Sequence, residues 1–138
     1  MADQAQALAR ATLSGAYPQL FVSDLAAALA FYRDKLGFAA AFSYGEPPFY
    51  AQIRRDRARL NLREMHGPVF AADVRERQEL LAAHIPVENV AALHDELGKA
   101  GASIRRKLAE RPWDATDFLV EDPDGNLICF SSPTDLQD

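Results

Sequence analysis

Apolar residues recur along this chain in two rhythms that alternate. Over Tyr17 to Val22 the period is two: Leu20 and Val22 point one way, and Tyr17, Gln19 and Phe21 the other, which predicts a short strand. Pro18 cannot donate to a ladder, so it belongs near the start of that strand or at an edge. From Leu25 the period changes. Leu25, Leu29, Tyr32 and Leu36 fall on one stripe of a helix predicted over Leu25 to Leu36. Asp24 precedes it as an N-cap, because its carboxylate can accept the unpaired N–H groups of the first turn. Gly37 supplies the left-handed residue that ends it. Strands follow over Phe38 to Tyr44, Phe49 to Arg54 and Arg59 to Arg63, with turns at Gly45-Glu46-Pro47-Pro48 and Arg55-Asp56-Arg57.

The order then repeats. Residues 65–79, with Gly67, Pro68 and a charged run from Asp73 to Glu79, read as a linker. Beyond it come a strand over Leu80 to Val87, Asn89 as N-cap, a helix over Val90 to Ala100, and Gly101. A strand over 102–108, a loop over 109–115 and strands over Thr116 to Glu121 and Leu127 to Ser131 complete the second round. The last two strands flank the turn Asp122-Pro123-Asp124-Gly125-Asn126. Val22-Ser23-Asp24-Leu25 corresponds to Val87-Glu88-Asn89-Val90 at an offset of 65 residues. This is an internal repeat of pattern rather than of letters. It predicts an α+β chain of two βαβββ modules, 16–64 and 80–132, with an N-terminal extension 1–15 and a C-terminal tail 133–138.

Alternation also assigns the faces. Leu20 and Val22, Leu60 and Leu62, Ile85 and Val87, Phe118 and Val120, and Ile128 and Phe130 should lie beneath the helices. The opposite faces carry Tyr17, Gln19, Phe21, Asn61, Arg63, Ala82, His84, Asp117, Glu121, Cys129 and Ser131. That mixture is too irregular for a packed core and suits a cleft lined by curved mixed sheets.

Composition narrows the function classes. Hydrophobic residues are 49% and charged residues 25%, ordinary values for a globular domain. With 15 Lys and Arg against 20 Asp and Glu the net charge is −5, which argues against nucleic acid as a partner and for a cationic small ligand. No apolar run of about 18 residues predicts a membrane span. The Ala-rich start lacks the continuous apolar run of a secretory signal, and Cys129, the one cysteine, has no intrachain partner. These features place the expected compartment in the cytoplasm.

Paired βαβββ modules, Val-Ser-Asp-Leu opening a helix that ends in Tyr-Arg-Asp-Lys-Leu-Gly-Phe (32–38), and the closing Asp-Pro-Asp-Gly-Asn (122–126) resemble the glyoxalase, bleomycin-resistance and dioxygenase superfamily. Within it the chain looks most like the bleomycin-resistance proteins. Ala-Tyr-Pro-Gln-Leu (16–20), Glu-Arg-Pro-Trp-Asp (110–114) and Phe130 carry that likeness. The resemblance implies a homodimer with antibiotic-binding clefts at the subunit interface, sequestering a bleomycin-like drug or another flat aromatic cation without chemistry. The alternative is a superfamily metalloenzyme, a lyase or dioxygenase, with an atypical or lost metal site. A third class is a structural or regulatory dimer without a small ligand.

Enzymes of the superfamily hold a divalent metal through four inward-facing strand positions. Counted from the motifs, these are Tyr17, Asn61 (with Arg63 as neighbour), Ala82 and Cys129, none of them His, Asp or Glu. No metal, no cofactor and no catalytic residue is therefore expected. His84 is expected to line the cleft, His66 to lie in the linker and His94 on an exposed helix face. The resemblance assigns Trp113, in the Pro-Trp loop, and Phe42 to stacking on the ligand, with Phe49 as a further ring. Tyr17, Asn61, Arg63, His84, Asp117 and Cys129 complete the expected site. Glu46, Asp114, Asp117 and Glu121 are the acids available to attract a cation, and the arginines 54, 55, 57 and 59 read as a solvated hairpin tip.

Overall fold

Each half of the chain folds as the alternation of periods requires. The structure, a computed structural model, describes residues 10–67 and 77–133. The first module runs β1 (Gln19–Val22), α1 (Leu25–Asp34), β2 (Ala39–Tyr44), β3 (Tyr50–Arg55), β4 (Ala58–Glu64). The second runs β5 (Leu81–Pro86), α2 (Val90–Lys99), β6 (Ile104–Arg111), β7 (Ala115–Glu121), β8 (Leu127–Pro133). Each module makes a four-stranded mixed sheet, in the orders β1-β4-β3-β2 and β5-β8-β7-β6. β1 runs parallel to β4 and β5 parallel to β8, while the other pairs are antiparallel. Neither sheet closes into a barrel within the chain.

Both helix starts form as the sequence predicts. Asp24 Oδ1 accepts from Ala27 N at 3.1 Å and Asn89 Oδ1 from Ala92 N at 3.4 Å. Asp24→Ala should lower stability by about 1 kcal/mol, read as a lower urea midpoint with an unchanged slope.

Several boundaries differ from the sequence reading, those of β1 and β6 most informatively. β1 begins at Gln19, after Pro18, although Pro18 O still accepts from Asn61 N at 2.9 Å. β6 continues to Arg111, so the expected loop over 109–115 contracts to a tight turn at Pro112, Trp113 and Asp114. Asp114 takes φ 61 there, and its N–H bonds Arg111 O at 3.2 Å. Asp and Asn accept this left-handed geometry more readily than other side chains do, which lets the hairpin close in so few residues. The described part of the N-terminal extension, Arg10 to Pro18, forms neither helix nor strand. Most of the expected linker (68–76) and of the tail (134–138) lies outside the described residues.

The predicted inward sets are the core. Leu20, Val22, Leu60, Leu62, Phe118, Val120, Ile128 and Phe130 are buried, and Ile85 and Val87 are partly so. Residues of both modules join one cluster, Tyr32 and Leu36 of the first with Leu97 and Phe118 of the second. His94, expected on an exposed face, instead sets its ring edge-on to Phe118 at 5.0 Å.

Polar contacts tie the modules together at two joints. At one, Tyr32 Oη donates to Asp122 Oδ2 at 2.9 Å, Asn126 Nδ2 to Phe21 O at 3.0 Å, and Ser23 N to Asp124 Oδ1 at 3.0 Å. At the other, Arg55 grips Glu96 through two bonds of 2.8 and 2.9 Å and also donates to Leu36 O. Arg55 is thus an inter-module clamp rather than part of a solvated tip.

Candidate functional site

With Leu20, Leu60, Leu62, Ala51 and Ile53 turned inward, strand alternation fixes what the first sheet presents outward. The ladder lines these residues up in rows. Tyr44, Tyr50, Arg63 and Phe21 form one row; Phe42, Gln52, Asn61 and Gln19 the next; Arg54 and Arg59 a third. Phe42 is 49% exposed and stacks on Tyr50, with centroids 6.3 Å apart and planes at 26°. Phe49 meets Tyr44 edge-on at 5.8 Å. That fold-back needs Gly45: it takes φ 108, and a Cβ there would run into the Phe49 ring. Between the aromatics lies an amide ladder, in which Arg59 Nη1 donates to Gln52 Oε1 at 2.8 Å and Gln52 Nε2 to Asn61 Oδ1 at 3.0 Å. Glu64 turns to the other face, as alternation predicts, and accepts from Leu25 N at 2.8 Å.

The outward face of the second sheet is closed over by ion pairs. Asp117 is only 4% exposed and receives Arg111 Nε at 2.8 Å, with Arg106 Nη2 at 3.5 Å. Arg105 reaches Glu121 at 3.2 Å and Arg106 reaches Glu79 at 3.0 Å. Asp117 and Glu121, two of the four acids expected to draw a cation, are thus each taken up by an arginine. Arg106 Nε and Arg111 Nη2 are buried and meet no hydrogen-bond acceptor among the described residues.

Cys129 lies beneath this network, its Sγ 3.8 Å from Asp117 Oδ2. Burial, with the Asp117 carboxylate next, pushes the thiol up to about 11. Little thiolate exists near neutral pH. Native protein at pH 8 should therefore release almost no thionitrobenzoate from Ellman's reagent until denaturant is added.

The expected site residues fall in two groups on two sheets. Phe42, Asn61 and Arg63 share the outward face of the first sheet, Phe49 lies just ahead of β3, and Tyr17 lies two residues ahead of β1. Asp117, Cys129 and the exposed His84 belong to the second sheet, where His84 sits across from Cys129. Trp113, 66% exposed, caps the β6–β7 turn. The expected site left out Tyr50 and Gln52 on the first face, counted Arg54 and Arg59 as a solvated hairpin tip, and omitted Arg106 and Arg111 on the second. Counting outward from the two-residue turn Asp56-Arg57 would have found the first four, since that turn fixes which residues face each other.

The metal positions do not fit a divalent ion. Tyr17 precedes the sheet, and the residue across from Asn61 is Gln19. Ala82 offers no donor, and Cys129 is a buried thiol bonded to Asp117. Among the described residues no three His, Cys, Asp or Glu side chains come together as a metal site.

The model of the Glyoxalase/Bleomycin resistance protein/Dioxygenase superfamily matches residues 14–130. The bleomycin resistance protein of Geobacillus stearothermophilus is 30% identical over 124 residues, covering 82% of this chain and 92% of that protein. The protein of the same description from Staphylococcus aureus gives the same figures. Among solved structures, the bleomycin-binding protein of bleomycin-producing Streptomyces verticillus, complexed with copper(II)-bleomycin, superposes with a TM-score of 0.71 at 27% identity, covering 89% of this chain and 98% of that one. Fold, motifs and these similarities agree: the chain belongs to the glyoxalase/bleomycin resistance protein/dioxygenase superfamily.

Proposed function

We propose that this protein is a metal-free homodimer that holds a flat aromatic small molecule in a cleft between its subunits, and that it sequesters the molecule rather than transforming it. The observation that carries this reading is the outward face of the first sheet, where the stacked Phe42–Tyr50 pair stands in solvent beside a ladder of amides. Flat rings offer a ligand area at little cost in rotamer freedom, and the amides give it orientation. The relatives described as bleomycin resistance and bleomycin-binding proteins support the binding role. The misfit of the metal positions supports binding without chemistry.

The second copy is proposed because Tyr17, Phe42, Tyr44, Phe49 and Trp113 are all exposed in the single chain. So much apolar surface on a small protein marks an interface. Sedimentation should give twice the chain mass of 15.2 kDa. A species that stays monomeric at all concentrations would rule the dimer out. Metal analysis of protein purified without chelator should find well under one ion per chain.

The binding test uses Trp113, the single tryptophan. Its emission is titrated with bleomycin and with pyrenebutanol, a planar probe without charge. Saturable quenching by either, at one ligand per chain, is the expected result. Unchanged emission with both, together with no retention of either in equilibrium dialysis, would overturn the reading.

A further inference from the structure

We infer that the ligand held on the first-sheet face carries an anionic group, a carboxylate, sulfonate or phosphate, next to its aromatic plane; this rests on the binding role proposed above. The face bears three guanidinium groups, Arg54, Arg59 and Arg63, and no carboxylate: the one acid on its four strands, Glu64, turns to the opposite face and caps α1. Arg63 closes one end of the aromatic patch, directly across from Tyr50. Arg54 and Arg59 face each other across β3 and β4 at the other end. Like charges in such a pair repel when nothing lies between them. None of the three arginines has a carboxylate within 4.0 Å among the described residues, and the one side-chain bond made by Arg59 goes to the neutral Gln52.

The rest of the molecule shows that this is selective. Acids outnumber bases by five in the chain, 20 against 15, the balance from which a cationic ligand was expected, and the first-sheet face departs from it. Elsewhere the arginines are matched: Arg55 with Glu96, Arg105 with Glu121, Arg106 with Glu79 and Arg111 with Asp117. Among the described strands, the open aromatic face is where guanidinium groups stand without a carboxylate, in a chain with carboxylates to spare. A guanidinium presents a planar fork that fits an oxyacid group through two bonds. Rows along a strand are spaced by two residues, about 7 Å. A ring lying on Phe42 and Tyr50 therefore has a guanidinium within reach at either end of the patch.

The test uses three probes with one ring and one chain length: pyrenebutyrate, pyrenebutanol and pyrenebutylammonium. Affinities are read from pyrene anisotropy with the full-length protein. The butyrate should bind about tenfold tighter than the butanol, and the butylammonium weaker than both. In Arg63→Gln and Arg54→Gln combined, the ratio of butyrate to butanol should fall toward one. Phe42→Ala should weaken all three while keeping the ratio. Melting curves by circular dichroism confirm that each variant is folded. If pyrenebutylammonium binds as tightly as the butyrate, the anionic inference is overturned and the binding role stands. A preference for butyrate that survives in the double variant overturns the assignment to these arginines. If none of the three probes binds, the binding role and the inference fall together.

Discussion

Replacing Trp113 by alanine is expected to weaken binding of a flat ligand about 30-fold and to leave the fold intact. A central aromatic anchor at a binding site contributes about 2 kcal/mol or more on truncation, and each 1.4 kcal/mol is about tenfold. The second half of the expectation follows from position. Trp113 is 66% exposed on a three-residue turn, and none of its ring contacts contributes to the core. Surface substitutions of that kind change stability by within about 0.5 kcal/mol. The measurement is a pyrenebutyrate titration of both proteins beside their melting curves. Equal affinity in the two would remove the turn from the site and leave the face of the first sheet as the whole of it. A drop in melting temperature matching the loss of binding would show Trp113 to be structural instead.

The largest effect on stability is expected at Asp122, not in the apolar core. Its carboxylate accepts four hydrogen bonds, from Tyr32 Oη and Asn126 Nδ2 at 2.9 Å, from Asn126 N at 2.8 Å and from Asp124 N at 2.9 Å. Asp122→Ala strands all four donors in a mostly buried place. Each donor left unsatisfied in such a network costs about 1–3 kcal/mol, because it keeps its desolvation penalty. The urea midpoint at pH 7 should fall accordingly. A loss below about 1 kcal/mol would mean that water replaces the carboxylate.

The same residue predicts a pH dependence. Burial raises the Asp122 carboxyl above the ordinary aspartate value, and its hydrogen bonds only partly offset this. The folded state therefore holds this proton to higher pH than the unfolded chain does. Its contribution to stability is present at low pH and is lost as pH rises from the ordinary aspartate value, about 3.9, through the folded one. Asp122→Asn cannot titrate. The difference between its stability curve and that of the parent should grow in the asparagine's favour across that window. A flat difference would show that the burial of Asp122 is relieved by water.

Most of the fold was legible because it rests on local signals. Asp24 and Asn89 cap the helices as read, and the inward strand sets form the core. What the sequence hid depends on partners brought in by tertiary structure. Nothing local to Asp117 shows that Arg106 and Arg111 will enclose it, so an acid that looked available to a cation is already neutralised. His94 was expected to face solvent, but Phe118 of β7, a core strand of the same module, meets its ring edge-on. The β6–β7 loop was read too long because Pro112 suggested a break, where the left-handed Asp114 allowed a tight turn. Of the candidate site, Phe42, Phe49 and Trp113 were named through the family resemblance, and Tyr17, Asn61 and Arg63 through alternation. The arginine surplus was not visible, since it emerges only when β3 and β4 are set in register.

The two joints between the modules differ in kind, and that difference bears on how such chains can be recombined. The Arg55–Glu96 pair is partly open to solvent, with 28% and 53% of the side chains exposed. It is weakened by salt and is replaceable by other partners. The Tyr32–Asp122–Asn126 joint is buried, and it spans both halves. A chimera that takes its second module from a relative can therefore tolerate a mismatch at the first joint. At the second, the turn and the tyrosine it answers must travel as a pair: a hybrid with Asp-Pro-Asp-Gly-Asn but no tyrosine at position 32, or the reverse, inherits half of a lock.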